Sequence, residues 1–278
     1  MDTLPPELLM DILHWCLLDR TCSIQVLSVC RAWHDFGLSL LHRNLEFRSQ
    51  SQLQLFLQQC PSLRTPPRSI SISLAGASIR PQTQIFRTIG AVWQKSQSES
   101  LQQVDLCLNS HSLDPCPSLI GEAMMSIDPT AFRWSGPDPP HHWSTAIVPI
   151  AAEQLCRGLS RWARLRSLHL SHIAFPADHY EDVFVAALVH HPHPVLRYIS
   201  LSQAVFLSAA VVADITTNLK ALQRFHLVDC YVDSIWGARL RLGDVERAVQ
   251  REQDLSRVRA IVICEARLER IQGGDRGS

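Results

Sequence analysis

A six-residue pattern returns along the chain and limits what it can fold into. Leu101-Gln-Gln-Val104-Asp-Leu106, Leu165-Arg-Ser-Leu168-His-Leu170, Leu196-Arg-Tyr-Ile199-Ser-Leu201 and Leu222-Gln-Arg-Phe225-His-Leu227 all carry apolar residues at positions one, four and six. Val258-Arg-Ala-Ile261-Val-Ile263 reads as a fifth copy. The starts lie 64, 31, 26 and 36 residues apart, and the 64-residue interval has room for a degenerate copy around Phe132-Arg133-Trp134. Helical periodicity fills the intervals at Ala151 to Trp162, His179 to His191, Leu207 to Leu219 and Asp244 to Asp254. One strand and one helix per roughly 20–36 residues is the reading of an α/β solenoid. An ordinary α/β domain with parallel strands is the alternative. Both have a parallel sheet with helices outside it.

Side chains alternate along a strand, so positions three and five face away from the apolar side. This makes Gln103, Asp105, Ser167, His169, Tyr198, Ser200, Arg224 and His226 candidate binding residues. Tyrosine and arginine, as at 198 and 224, are enriched where binding energy concentrates. The alternative is a merely solvated sheet face.

Between residues 48 and 100, Ser49 to Gln59 reads as a short helix ending at Cys60-Pro61. Arg64-Thr65-Pro66-Pro67 is a break, and Ile70-Ser-Ile72-Ser-Leu74 alternates strictly as a strand does. Pro81 opens a further helix with Ile85, Phe86, Ile89 and Trp93 in helical spacing. Ser135 to Pro149 is Pro-rich and reads as a surface loop, and Gly273 to Ser278 as a frayed tail.

The N-terminal stretch has a different period. Pro5 and Pro6 suit a helix's first turn. Leu8, Leu9, Ile12, Leu13, Cys16 and Leu17 form one helical stripe, broken at Asp19-Arg20-Thr21, where Thr21 or Ser23 is positioned to cap a second helix. Val26, Val29, Cys30 and Trp33 follow at i, i+3, i+4 and i+7, and Leu38, Leu40, Leu41 and Leu45 suggest a third short element. About 40 residues cannot normally bury a core unaided. Their apolar faces are wider than one small core uses, which implies a partner.

Leu4-Pro5-x-Glu7, Ile12-Leu13, Leu27 and Val29-Cys30-Arg31-x-Trp33 together resemble an F-box, over roughly residues 3–47. The middle, Leu18 to Gln25, is longer than the family's usual spacing and has Cys22-Ser23-Ile24 in place of its Asp-Leu-Leu step. The resemblance implies that Leu4, Pro5, Leu8, Leu9, Ile12, Val29 and Trp33 are divided between the module's own core and the docking surface for a Skp-type adaptor of a cullin–RING ubiquitin ligase. A plain helical hairpin packed on the next domain is the alternative. The L-x-x-L-x-L strands resemble leucine-rich repeats, though the asparagine or cysteine expected shortly after each strand is mostly missing. An irregular, partly degenerate arc is therefore expected.

Composition narrows the classes of function. With 26 basic and 26 acidic residues the net charge is zero, which implies no general grip on nucleic acid or on an anionic membrane. Basic charge is nearly all arginine, with lysine only at 95 and 220. The longest strictly apolar run, Val183 to Val189, is far short of the ~18 residues that span a bilayer. Nine cysteines form no C-x-x-C pair, and no secretory signal is visible, so cytoplasm or nucleus is the expected location. His141-His142 and His190-His191-Pro192-His193 lack the carboxylate or cysteine spacing of a metal site and read as solvated turns. Gly158-Leu-Ser160 lacks the second glycine of a nucleophile elbow, and there is no phosphate-binding glycine loop. No metal, cofactor or catalytic residue is expected.

The expected fold is α/β: an N-terminal three-helix F-box module (1–48), a connecting segment with a first strand–helix unit (49–100), an irregular leucine-rich-repeat-like α/β solenoid (101–271) and a flexible tail (272–278). The expected function is that of a non-catalytic substrate receptor of an SCF-type ubiquitin ligase. Its partners would be a Skp-type adaptor, through it a cullin, and a protein substrate. A scaffold that binds the adaptor without ligase function, and an enzyme whose site assembles only in space, are the alternatives.

Overall fold

Among the described residues, eight strands form one parallel sheet whose spatial order is the chain order. The structure is a computed structural model, and it describes residues 4–18, 23–59, 67–74, 85–86, 101–138, 144–176, 180–190 and 193–267. The strands are β1 (Asn44–Phe47), β2 (Ser69–Ser73), β3 (Gln103–Cys107), β4 (Ala131–Ser135), β5 (Ser167–Ser171), β6 (Tyr198–Ser202), β7 (Arg224–Val228) and β8 (Val262–Glu265). Helices α1 (Pro6–Leu18), α2 (Ser23–Leu27) and α3 (Arg31–Arg43) precede the sheet. Between strands lie α4 (Gln50–Gln59), α5 (Ser118–Met125), α6 (Pro149–Leu159), α7 (Tyr180–Val185), α8 (Ala209–Asn218), α9 (Leu242–Ala248) and α10 (Leu255–Ile261).

The strand pairs of the sequence pattern set the core. Positions four and six are in register from strand to strand: Ile70 and Ile72, Val104 and Leu106, Phe132 and Trp134, Leu168 and Leu170, Ile199 and Leu201, Phe225 and Leu227. All are buried in one apolar cluster that runs from Leu45 to Val262. Position one is buried too, at Leu101, Leu165, Leu196 and Leu222. The degenerate copy expected near Phe132 is β4, seated between β3 and β5. The large aromatic rings are polar-satisfied: Trp134 Nε1 donates to Leu108 O at 3.1 Å and Trp162 Nε1 to Met124 O at 2.9 Å.

Several expectations need correction. Val258 and Ile261 are not in a strand; they are buried on α10, and the strand begins at Val262, paired with Phe225, with Cys264 opposite Leu227. A spacing of i, i+3 suits one helix face as well as positions one and four, so the pattern admitted both. Val26 and Trp33 do not share a helix. Ser28 N and Val29 N donate back to Gln25 O and Val26 O in a tight turn, and Cys30 is extended ahead of α3. Leu38, Leu40 and Leu41 lie on α3, whereas Leu45 belongs to β1, so the sheet begins inside the segment 1–48. The helix expected over Asp244 to Asp254 is α9 followed by a 3-10 turn at Glu252–Asp254, and that over His179 to His191 is α7 followed by a π-turn at Ala186–His190.

The Pro-rich stretch after β4 is not all surface: Ala146 and Ile147 are buried, and Ile147 bridges to Ile173. His193 is likewise buried, its Nε2 3.0 Å from Ala187 O. Of the helix expected from Pro81, only Ile85 and Phe86 are described, both helical and buried; Pro81, Ile89 and Trp93 lie outside the described residues. So do Thr21, the Cys60-Pro61 helix end, most of the Arg64–Pro67 break, His141, His142, His191 and the tail 272–278.

Three strands end alike. His172, Gln203 and Asp229 directly follow β5, β6 and β7 with φ of 58°, 50° and 50°, and their N–H groups donate to Ser202 O, Val228 O and Glu265 O of the next strand. The left-handed turn lets the chain leave the sheet without breaking the inter-strand ladder.

Helix α5 lies against α6 at a pair of glycines. A Cβ on Gly158 would overlap Met124 Cβ and lie 3.2 Å from the Met124 carbonyl carbon; one on Gly121 would lie 2.5 Å from Gln154 Oε1. The backbone of Met124 cannot yield as a flexible side-chain tip can. Gly158→Ala is therefore expected to lower the unfolding free energy by about 1–3 kcal/mol, read from the urea midpoint at constant slope. Gly243→Ala, where a Cβ meets nothing within 4 Å, is the control and should show no such loss.

Candidate protein-binding surfaces

Helix α1 puts its apolar stripe to two uses. Leu13 is fully buried against the other two N-terminal helices, and Leu9, Cys16 and Leu17 are half-buried. Gly37 lets α3 pack closely on α2, because a Cβ there would overlap the Leu27 side chain. On the outer side Leu8 is 51% exposed, Ile12 40% and Trp15 72%. These residues lie at i, i+4 and i+7, hence on one helical face. Leu4, ahead of α1, and Val29, in the turn between α2 and α3, are also exposed, at 43% and 55%.

Of the residues that the F-box resemblance singles out, Leu4, Pro5, Leu8, Ile12 and Val29 are exposed, while Leu9 and Trp33 are half-buried. Trp15 was not anticipated, although it continues the Leu8–Ile12 spacing. Leu8 and Ile12 are already about half covered, so a partner that finished their burial would gain roughly 1 kcal/mol for each.

The second surface is the sheet face opposite the buried pairs. Strand register puts all eight expected residues on it in two rows. Gln103, Ser167, Tyr198 and Arg224 occupy the first row, with Ser69 and Ala131 completing it between and beside them. Asp105, His169, Ser200 and His226 occupy the second, joined by Ser71, Arg133 and Ile263. Arg133 could have been found from sequence, since it holds position five of the degenerate copy. The first row is the more open, with Tyr198 46% exposed and its hydroxyl donating to Gln223 Oε1 at 3.0 Å.

The second row is half-buried at Ser71, Asp105, His169, Ser200 and His226, exposed at Arg133 and Ile263, and electrostatically coupled. Gln103 Nε2 donates to Asp105 Oδ2 at 2.6 Å, and His226 Nε2 lies 3.1 Å from Glu265 Oε1. Burial pushes the His169 imidazole down to about 4; the Arg133 and His226 charges push the same way, and Asp105 opposes them. His169 is therefore neutral near pH 7, one ring nitrogen donating and the other accepting. The described face offers hydrogen bonds, the Tyr198 ring with the His169 and His226 imidazoles, and charge of both signs, from Arg133 and Arg224 and from Asp105, Glu46 and Glu265. Among the described residues no group of three or more His, Cys, Asp or Glu is arranged to hold a metal ion, and no helix is long and apolar enough to cross a membrane.

A histidine whose folded value lies below its unfolded value binds fewer protons in the folded chain. Stability should then fall as pH drops from 6.5 towards about 4. An NMR titration of the His169 ring should centre near 4, and His169→Gln should flatten the stability profile over that window; a midpoint near 6.5 would contradict the half-buried placement. No protein-family model matches this sequence, and no curated protein matches it either.

Proposed function

We propose that this chain is a non-catalytic substrate receptor of an SCF-type ubiquitin ligase, with the three N-terminal helices as an F-box that holds a Skp-type adaptor and the sheet as a leucine-rich-repeat-like solenoid that holds a protein substrate. The observation that carries the reading is the exposed apolar surface of Leu4, Leu8, Ile12, Trp15 and Val29 on a module whose own core needs only the other side of α1. An uncovered patch of this kind is characteristic of a protein-interaction site. The resemblance of Leu4-Pro5-x-Glu7 and Val29-Cys30-Arg31-x-Trp33 to the F-box names the class of partner.

The solenoid half of the reading is supported by strand order and by chemistry after the strands. Position nine of the leucine-rich pattern, where asparagine or cysteine is usual, is Asn109 after β3 and Cys230 after β7. Cys230 Sγ donates to Leu201 O of the preceding unit at 3.4 Å, and burial raises its thiol to about 12, so it stays a neutral donor. In this role the chain supplies no bond-making group. It brings a bound substrate near a ubiquitin-loaded enzyme held by other subunits, and the gain is that of proximity.

Leu8→Asp together with Ile12→Asp should abolish capture of the adaptor, because two desolvated carboxylates would face the partner. Both sites are exposed, so the thermal midpoint should stay near that of the parent chain. Undiminished adaptor co-purification would remove the F-box reading. If adaptor is captured but no cullin is recruited and no bound protein is stabilised when the chain is depleted, the scaffold alternative replaces the ligase.

A further inference from the structure

The entry edge of the sheet carries a row of arginines. The residue two places before each strand's first inward position lies in a continuous backbone ladder: Arg68 N donates to Arg43 O at 2.7 Å, Gln102 N to Arg68 O at 2.7 Å, Thr130 N to Gln102 O at 3.0 Å, Arg166 N to Thr130 O at 2.7 Å, and Arg197 N to Arg166 O at 2.9 Å. The row therefore reads Arg43, Arg68, Gln102, Thr130, Arg166, Arg197. Arg68, Arg166 and Arg197 are exposed, as is Arg224 beside the row, and Arg43 is half-buried. Five other arginines carry carboxylate partners: Arg48 with Glu46, Arg239 with Asp229, Arg247 with Asp244, Arg259 with Glu246 and Arg267 with Glu265, whereas Arg133, Arg157 and Arg161 share the row's lack of one among the described residues, so it is the alignment along one edge that sets the row apart. Among the described residues, Arg43, Arg68, Arg166, Arg197 and Arg224 have no such ion pair.

A concave site adjoins the row. Arg43, Arg68 and Gln102 line a cleft of 410 Å³ together with His14 of α1, Asn44 and Ser69. It opens where the N-terminal helices meet the first two strands, and its polar lining is made of donors and neutral amides, with no carboxylate.

We infer that this cleft and the adjoining row take an extended acidic peptide with two groups of carboxylates. The inference rests on the sheet being the ligand-binding part of the chain. Charge complementarity selects the occupant, since guanidinium forks pair with carboxylates in bidentate geometry. Spacing selects its shape. Strands lie about 4.8 Å apart, so the Arg43–Arg68 and Arg166–Arg197 groups are separated by three strand spacings, about 14 Å. An extended peptide rises about 3.4 Å per residue, so carboxylate groups four residues apart match the two arginine groups. Gln102 and Thr130 between them offer uncharged hydrogen bonds to the intervening peptide. A nucleic acid would instead call for an unbroken positive track and several stacking rings. The row itself has a neutral gap and no ring: Tyr198 and the His169 and His226 imidazoles lie on the sheet face beside it, not along it.

The test uses the full chain and fluorescein-labelled peptides with a Glu-Glu-Ser-Ser-Ser-Glu-Glu core, whose facing glutamates are four residues apart, the same residues rearranged as Ser-Glu-Glu-Glu-Glu-Ser-Ser, and a single-stranded oligodeoxynucleotide of equal charge. Anisotropy should show the split peptide binding most tightly, with affinity falling as salt rises. Arg166→Gln with Arg197→Gln should weaken it about tenfold or more. Arg157→Gln with Arg161→Gln, exposed but off the row, should leave it unchanged. Equal loss in both double variants, no loss in the first, or tighter binding of the oligonucleotide would overturn the inference. Adaptor capture by the Arg166→Gln, Arg197→Gln chain should be unaltered. Peptide binding without adaptor capture faults the F-box reading alone, and adaptor capture without peptide binding faults this site alone.

Discussion

The parallel ladder, taken strand by strand in chain order, is the constraint on which the rest of the structure depends. Each parallel step requires a crossover, and crossovers of one hand return on one side of the sheet. With the strands in chain order every crossover moves the same way, so the connecting helices collect on one face. That face must be apolar, and it is, with positions four and six of the strands buried in one cluster. By the same logic the opposite face keeps its outward rows open, with Gln103, Tyr198 and Arg224 exposed. Its openness is thus a consequence of topology and needs no separate cause.

Keeping the ladder intact past the strand ends takes polar groups into the interior. His172, Gln203 and Asp229 are all nearly buried and left-handed, which costs a non-glycine residue on the order of 1–3 kcal/mol. Each offsets that cost by donating its N–H to the neighbouring strand. Asp229 does more: it accepts from Arg267 N and pairs with Arg239 at 3.3 Å. The half-buried Arg257 acts similarly on the helix side, where its guanidinium donates to Thr216 O and Leu219 O and satisfies open carbonyls at the end of α8. Regularity of backbone position therefore persists where regularity of sequence does not, and different side chains meet the same demand at successive turns.

This explains which parts of the molecule were legible in the sequence. Alternation with a fixed apolar partner at position six identified β2, β3, β5, β6 and β7, and the long interval after Leu101 disclosed β4. The two terminal strands were harder. Four-residue β1 follows α3 without a break, so Leu45 continued a run of leucines that already had helical spacing. At β8, Val258 and Ile261 fitted either period, and only pairing with Phe225 fixes the register at Val262. The N-terminal surface was legible as a stripe but not as two sides of one. Leu8 and Leu9 are neighbours in sequence and chemically alike; the side of α1 that packs on α2 and α3 decides that Leu13 is covered and Leu8 is not. The sheet-face residues were found because period two is strict, whereas the arginine row needs strand register to be seen at all.

The junction between the two surfaces carries the last step. No linker separates α3 from the sheet: the helix ends at Arg43, the strand starts at Asn44, and Arg43 O accepts from Arg68 N of the next unit. Ser69 Oγ donates to Asn44 Oδ1 at 2.8 Å just beyond it. A flexible tether would let a protein bound on α1 and a ligand bound on the sheet sample many separations, diluting any effect of one on the other. Here backbone hydrogen bonding fixes their relation from the first strand onward. On the proposed reading that rigidity is what a receptor without chemistry of its own must provide, because its whole contribution to the rate is the geometry in which it holds two other proteins.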